Sequence, residues 1–368
     1  MTSPEVHQLV WGRPISCHAF NKDRTQVAIC PNDNTVEIYQ RNGSGWELTE
    51  TLTGHDQLVT SIDWAPETNR IVTCSQDRNA YVWTWNPTEG KWGHSLVHLR
   101  INRAATYVRW SPKENKFAVA SGARLISICY FEEENNWWGS KHIKKPIKST
   151  ILSLDWHPDN ILLVAGSTDM KTRVFSAYIK GVDGKASNPV WGDKLPLHTL
   201  CGEFDNDGWV HSVAFSPSGN YVAWSSHNSV VSLASGPNNP VITIPTNALP
   251  IVSIIFASET SIIGVGHDCV PFLFAQRGGQ WELVGKLDQG QKKSVAANSA
   301  FRVFQQMDSR AQQTNQDVEL NTTHQNTITS VRPYAGYPDN VTKFSTSGVD
   351  GKLVIWDVLA SGVAGLRI

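Results

Sequence analysis

Short runs in which apolar and polar residues alternate fill most of this chain, and each run ends in small or polar residues. A period of two predicts half-buried strands and not helices. Six of the runs close on an aromatic: "ISCHAF" at Phe20, "VTSIDWAP" at Trp64, "ATYVRWSP" at Trp110, "ILSLDWHP" at Trp156, "VHSVAFSP" at Phe215 and "IVSIIFAS" at Phe256. A seventh, "ITSVRPYA", has Pro333 in that slot. The first three steps between slots are 44, 46 and 46 residues. A spacing of about 40–45 residues marks a repeat unit of four strands.

A second marker keeps the same beat. A Trp opens a later predicted strand in five units, at Trp46, Trp92, Trp138, Trp191 and Trp281. A third lies in the turns. Asp33, Asp77, Asp169, Asp268 and Asp350 each fall six residues before an aromatic, at Tyr39, Trp83, Phe175, Phe274 and Trp356. Asp accepts backbone N–H bonds and suits a tight turn. The third and fifth units have Ala123 and His227 there, which predicts less firmly held turns. The chain therefore reads as all-β, one seven-bladed β-propeller over residues 1–368. The orphan run "VHQLVW" near the start is expected to be the outer strand of the last blade, because only "ASGVAGLRI" follows "KLVIWDVL". Closure of that kind leaves only short, protected edges.

These residues resemble the WD-repeat β-propeller family, although its Gly-His pair survives only as Gly54-His55 and its Trp-Asp pair only as Trp356-Asp357. The resemblance implies a hydrogen-bonded structural set of His55, Ser75, Asp77 and Trp83.

One interruption breaks the beat. From Phe256 to Pro333 the step is 77 residues, and the excess lies in a Gln/Asn/Ser-rich insert at 288–327 between blades six and seven. Long inserts of this kind are usually functional or disordered. Within it Asn298 can cap a helix near 298–311. Ala300, Val303, Phe304, Met307 and Ala311 then share one apolar face, flanked by Phe301. So short a helix is marginal alone and needs something to pack on. It either folds back on the propeller rim or docks its Phe/Met face into a partner's groove, the second being the sharper expectation.

Composition narrows the function classes. Lys and Arg number 32 against 33 Asp and Glu, for a net charge of −1. That balance gives no general pull toward nucleic acid, and the absence of a long apolar run predicts no membrane insertion. No basic and apolar leader opens the sequence, so the six Cys are expected to be reduced core thiols of an intracellular protein and its Asn-x-Ser/Thr sites to stay unmodified. One local excess stands out. "KHIKKPIK" brings Lys141, Lys144, Lys145 and Lys148 together, either as a solvated strand and loop or as a docking patch for an acidic partner. Arg100 and Arg103 are equally eligible for such a patch. Motifs of hydrolases, nucleotide binding and metalloproteases are missing. His94 and His98 have no third ligand, and "FEEENN" reads as a solvated hairpin loop. The turn positions offer no convergent acids, bases or metal ligands for a channel active site. No enzyme activity, cofactor or metal is expected.

The start "MTSPEVHQLVWGRPISCHAFN", the stretch "LTGHDQLVTSIDWAPETNRIVTCSQDRNAYVW" and the insert's "NSAFRVFQQMDS" closely resemble, end to end, the WD-repeat subunits of the seven-subunit actin-related protein 2/3 complex. The resemblance implies a non-catalytic cytoplasmic scaffold that supports branched actin nucleation. Its implied partners are the other subunits of that complex, the actin filament and the acidic tails of nucleation-promoting factors. A substrate receptor of a ubiquitin ligase is the alternative, although no adaptor-binding segment is visible outside the repeats.

Overall fold

The computed structural model describes residues 3–184, 187–288 and 320–358. Among them the chain forms 28 strands, arranged as seven blades of four antiparallel strands. β1 is Glu5–Gln8. Blade 1 is β2–β5, Cys17–Phe20, Gln26–Cys30, Thr35–Asn42 and Gly45–Thr53; blade 2 is β6–β9, Val59–Ala65, Arg70–Ser75, Ala80–Asn86 and Lys91–Val97. Blade 3 is β10–β13, Ala105–Trp110, Lys116–Ser121, Ile126–Glu132 and Trp137–Ile143; blade 4 is β14–β17, Ile151–Trp156, Leu162–Ser167, Lys171–Ser176 and Leu200–Asp205. Blade 5 is β18–β21, Val210–Phe215, Val222–Ser226, Val230–Ala234 and Ile242–Pro245; blade 6 is β22–β25, Ile251–Ser258, Ser261–Gly266, Phe272–Arg277 and Gln280–Lys286. Blade 7 combines β26–β28, Ile328–Ala335, Lys343–Gly348 and Lys352–Asp357, with β1. β1 lies antiparallel to β28, with Glu5 opposite Ile355 and Gln8 opposite Lys352. The closing strand is thus where it was expected but one residue earlier and shorter, and Trp11 stands outside it, 82% exposed.

The period-2 pattern explains why the blades form a ring. Inner strands are buried on both faces, because each blade packs on the next. Seven apolar clusters result, each joining two neighbouring blades. The seventh sets Val10, Ile15 and Leu353 against Phe20, Val27 and Ile29, so it closes the ring between blades 7 and 1. Every repeat-slot residue, from Phe20 to Pro333, lies on the first strand of its blade.

Polar stitches add direction to this packing. In blades 2 and 3 a bulge near the start of the first strand frees Thr60 and Thr106, whose hydroxyls donate to Ala105 O (2.9 Å) and Ile151 O (2.6 Å) of the next blade. Thr329 does the same from blade 7 to Ile15 O, at 2.6 Å. A bulge re-aims a side chain in this way. Blades 2 and 3 are also joined at the rim, where Val97 pairs in parallel with Trp138.

One marker departs from expectation. Trp191 is not in a strand but in the long connection between β16 and β17, although its ring is buried against Phe215. Its indole N–H donates to Gly219 O at 3.0 Å. The connection folds back over the blade and brings its own aromatic to the slot. It is pinned by Lys116, fully buried on β11, which binds the Asp183 carboxylate and Ala177 O.

Candidate protein interaction surface

In each blade the turn between second and third strands must sit close to the connection arriving from the previous blade. Backbone bonds fix this: Gln76 N–H to Leu58 O, Gly122 N–H to Ala104 O, Thr168 N–H to Thr150 O and Val349 N–H to Thr327 O. The residue after the turn position takes a left-handed conformation, with φ of +73° at Arg78, +59° at Arg124 and +62° at Met170. All these loops share one face of the ring.

In blade 2 a buried polar chain crosses the turn. His55 Nδ1 is 2.8 Å from Asp77 Oδ2, and His55 Nε2 is 2.8 Å from Thr73 Oγ1. The Trp83 indole donates to the same Thr73 oxygen at 2.9 Å. Asp77 also accepts Asp56 N–H and Asn79 N–H. Burial pushes His55 below the ordinary imidazole value, with Asp77 pulling the other way. The hydroxyl in this chain is therefore not that of Ser75, which instead donates to Gln57 O at 2.8 Å and accepts Asp77 N–H. The register decides it: Ile71 faces Trp83, so Thr73 is the near diagonal neighbour and Ser75 is one step too far.

Blade 7 repeats the set in full, which the sequence reading missed. His324 Nδ1 is 3.0 Å from Asp350 Oδ1, His324 Nε2 is 2.8 Å from Thr346 Oγ1, and Trp356 donates to Thr346 Oγ1 at 2.8 Å. Thr323 stands where Gly is usual, which hid the motif. The usable signal was His324 four residues before its first strand, as His55 is before Val59.

The same face gathers charge. Lys144, Lys145 and Lys148 are exposed on the connection from blade 3 to blade 4, and the Lys148 backbone N–H is held by Asp169 at 2.9 Å. Lys141 is exposed too, but on the outer strand β13, with its ammonium 5.5 Å from the Tyr130 ring. The loops add Arg78, Arg100, Arg103 and Arg124, all exposed. Ion pairs of blades 2 to 4 among the described residues use other Lys and Arg side chains: Lys22, Lys91, Arg109, Lys116, Lys171, Arg173 and Arg332. Seven loop cations thus face solvent together over blades 2 to 4. Beyond them the face turns aromatic: Trp209 is half exposed, with its ring 5.5 Å from His227, and Leu249 is exposed on the connection to the next blade. Such a surface suits an acidic polypeptide, for which like-signed clustering raises encounter rate and selectivity.

Other candidates resolve individually. His94 packs on Trp83 and Tyr81, each at 4.8 Å, and His98 on Trp137 at 5.0 Å. Among the described residues no group of three or more His, Cys, Asp or Glu is placed to hold a metal ion. Ala300, Phe301, Val303, Phe304 and Met307 lie outside the described residues. The expectation spoke only of the turn positions; the first strands send Asp63, Arg109, Asp155 and Arg332 into the channel, and the hairpin turns add Arg24 and Glu114.

Comparison with known proteins agrees with the architecture. The WD domain, G-beta repeat model matches residues 46–84, 141–176 and 194–236. The chain is 53% identical over 370 residues to actin-related protein 2/3 complex subunit 1A-B of Xenopus laevis, covering 99% of both chains. It is 46% identical to actin-related protein 2/3 complex subunit 1 of Schizosaccharomyces pombe, covering 96% of this chain and 99% of that one. Subunit 1B of Arabidopsis thaliana is 42% identical, with 97% of both chains covered.

Proposed function

Because the chain belongs to the family of actin-related protein 2/3 complex subunit 1, we propose that it serves as the scaffold subunit of that complex and supports nucleation of branched actin filaments. The observation that carries this is the likeness along the whole length of the chain, blades and connections alike. The role is non-catalytic, and its place is the actin cytoskeleton of the cytoplasm.

Two finer contacts follow. The loop cations Arg78, Arg100, Arg103, Arg124, Lys144, Lys145 and Lys148 receive the acidic tails of nucleation-promoting factors, with Lys141 at the margin. Their exposure and lack of ion pairs among the described residues support this reading. The apolar positions Ala300, Phe301, Val303, Phe304 and Met307 meet the mother filament, a reading supported by their helical spacing. The test begins with a pull-down of the tagged chain from cytosol. Six stoichiometric partners including two actin-related proteins are expected; a ligase adaptor, or no partner, overturns the scaffold reading. In the assembled complex, Phe304→Ala with Met307→Ala should leave the subunit composition unchanged and lower branching. Reversing Arg100, Arg103 and Arg124 to Glu should weaken binding of an acidic tail peptide about tenfold or more, with a salt dependence that flattens.

A further inference from the structure

At the opposite end from the interaction face, all seven first strands converge on a cavity of about 550 Å³ in the central channel. That volume is in the range of small-molecule sites, and a mostly apolar wall with few convergent polar groups is their usual build. The wall is aromatic and proline-rich, with Trp64, Trp110, Trp156 and Phe215 at the repeat slots. Just before four of the seven slots stand charged residues, Asp63, Arg109, Asp155 and Arg332.

Most of the charges in this wall are already committed. Arg332 spends all three of its nitrogens, on Asp63 Oδ1 (3.0 Å), Ile62 O (2.7 Å) and His18 O (3.1 Å). Asp63 Oδ2 accepts Trp110 N–H. Glu114 accepts Glu67 N–H and Thr68 N–H, and Arg24 donates to Tyr334 O and Asn21 O. Two groups are left over. Arg109 lies over the Tyr107 ring at 4.8 Å and donates from Nη2 to the Tyr107 hydroxyl; its Nη1 has no hydrogen-bond partner, with only a 3.5 Å ion pair to an Asp63 that Arg332 also holds. Asp155 accepts Phe215 N–H on one oxygen, at 2.8 Å, and has no ion pair among the described residues. Arg109 and Asp155 occupy the same slot on adjacent blades. They are therefore a cation and an anion on adjacent blades in an apolar cavity, the cation with one nitrogen that makes no hydrogen bond and the anion with no ion pair among the described residues.

We propose that this cavity binds a small zwitterion of the α-amino-acid class, its carboxylate on Arg109, its ammonium on Asp155 and its side chain among the slot aromatics. A carboxylate alone would meet Asp155, and an amine alone would meet Arg109; only a ligand carrying both charges completes both. Tyr337, on the blade 7 hairpin, borders the cavity. The groups facing Asp155 are Arg109, Asp63 and Tyr337, and burial raises its carboxyl to about 6. An ammonium partner would favour the ionised form.

The test is calorimetry on the assembled complex with the free amino acids, each compared with its N-acetyl and its C-amide derivative. Saturable binding of at least one free amino acid is expected, weakened about tenfold or more by either block. Arg109→Gln and Asp155→Asn should each remove it while leaving acidic-tail binding on the other face unchanged, and binding should weaken from pH 7.5 to pH 5 as Asp155 takes up a proton. Arg109→Lys, which keeps the charge, should retain part of the affinity and so separates a lost site from a disturbed fold. Equal binding of blocked and free forms, no binding at millimolar concentration, or binding unchanged in both variants would overturn the proposal. So would finding a partner chain in the cavity.

Discussion

Blades 2 and 3 are neighbours built on one template, yet they fill four equivalent positions in opposite ways. Blade 2 places His55, Thr73, Asp77 and Trp83 there and links them by hydrogen bonds. Blade 3 places Ile101, Val119, Ala123 and Cys129, and three of these belong to one apolar cluster. Both solutions leave no buried partner stranded at these positions. A satisfied polar network and a well-packed apolar set differ little in net stability, whereas a half-broken network is costly. The polar version adds direction: it ties the arriving connection to the turn, at a defined register. Blade 7, the only blade closed by a strand distant in sequence, uses the polar version as well.

The comparison can be broken at several points. Removing residues 3–10 takes away β1 and buried Val10, and should cost about 5 kcal/mol from lost pairing and burial. Thermal unfolding of the purified complex, or its failed assembly, reads this out; unchanged melting would mean blade 7 does not need its outer strand. Next in size, His324→Ala strands Asp350 and should cost ~3 kcal/mol, and Asp77→Ala about the same in blade 2. Thr73→Val leaves His55 Nε2 without its donor and the Trp83 indole without its acceptor and should cost about 2 kcal/mol, against ~1 for Ser75→Ala. The reverse order would restore Ser75 to the set. Converting blade 2 toward its neighbour with His55→Ile, Thr73→Val, Asp77→Ala and Trp83→Phe together should cost about 1 kcal/mol, less than Asp77→Ala alone. A fully additive loss would show that the two fillings are not interchangeable.

The smallest effect concerns protons. Burial lowers the imidazoles of His18, His55 and His211, the last to about 4. Below the ordinary value of about 6.5 the unfolded chain takes up protons that the folded chain refuses, so stability falls as pH falls. Asp155, raised to about 6, acts in the opposite sense between its ordinary value and 6. Melting temperature should therefore drop between pH 7 and pH 5, and His211→Gln should flatten the drop.

The sevenfold beat was legible because each blade repeats the same burial problem, and burial is what a period of two records. Details carried by register were not. Thr73 and Ser75 are alike in sequence, and only the pairing of Ile71 with Trp83 separates them. His324 was hidden by one substituted neighbour. The run from Lys141 to Lys148 was visible as a cluster, but Arg78, Arg100, Arg103 and Arg124 join it only when the turns and connections meet on one face. Likewise Asp63, Arg109, Asp155 and Arg332 lie 46 residues or more apart in the chain and become neighbours only around the channel axis.

The strand that closes blade 7 also sets a timetable. β1 leaves the ribosome well before its partner β28, which is made more than 340 residues later. At an elongation rate of about 5–20 residues per second, the first strand waits on the order of twenty seconds or more for its mate. Throughout that interval the nascent ring has an open seam, with the apolar side chains of Val10, Ile15 and Phe20 uncovered at one edge. Pairing across such a distance is slow to nucleate, and an unpaired edge invites association with other chains. The circular architecture that protects the finished protein thus leaves the growing one exposed until β28 is made, and that interval is where a chaperone would have the most to do.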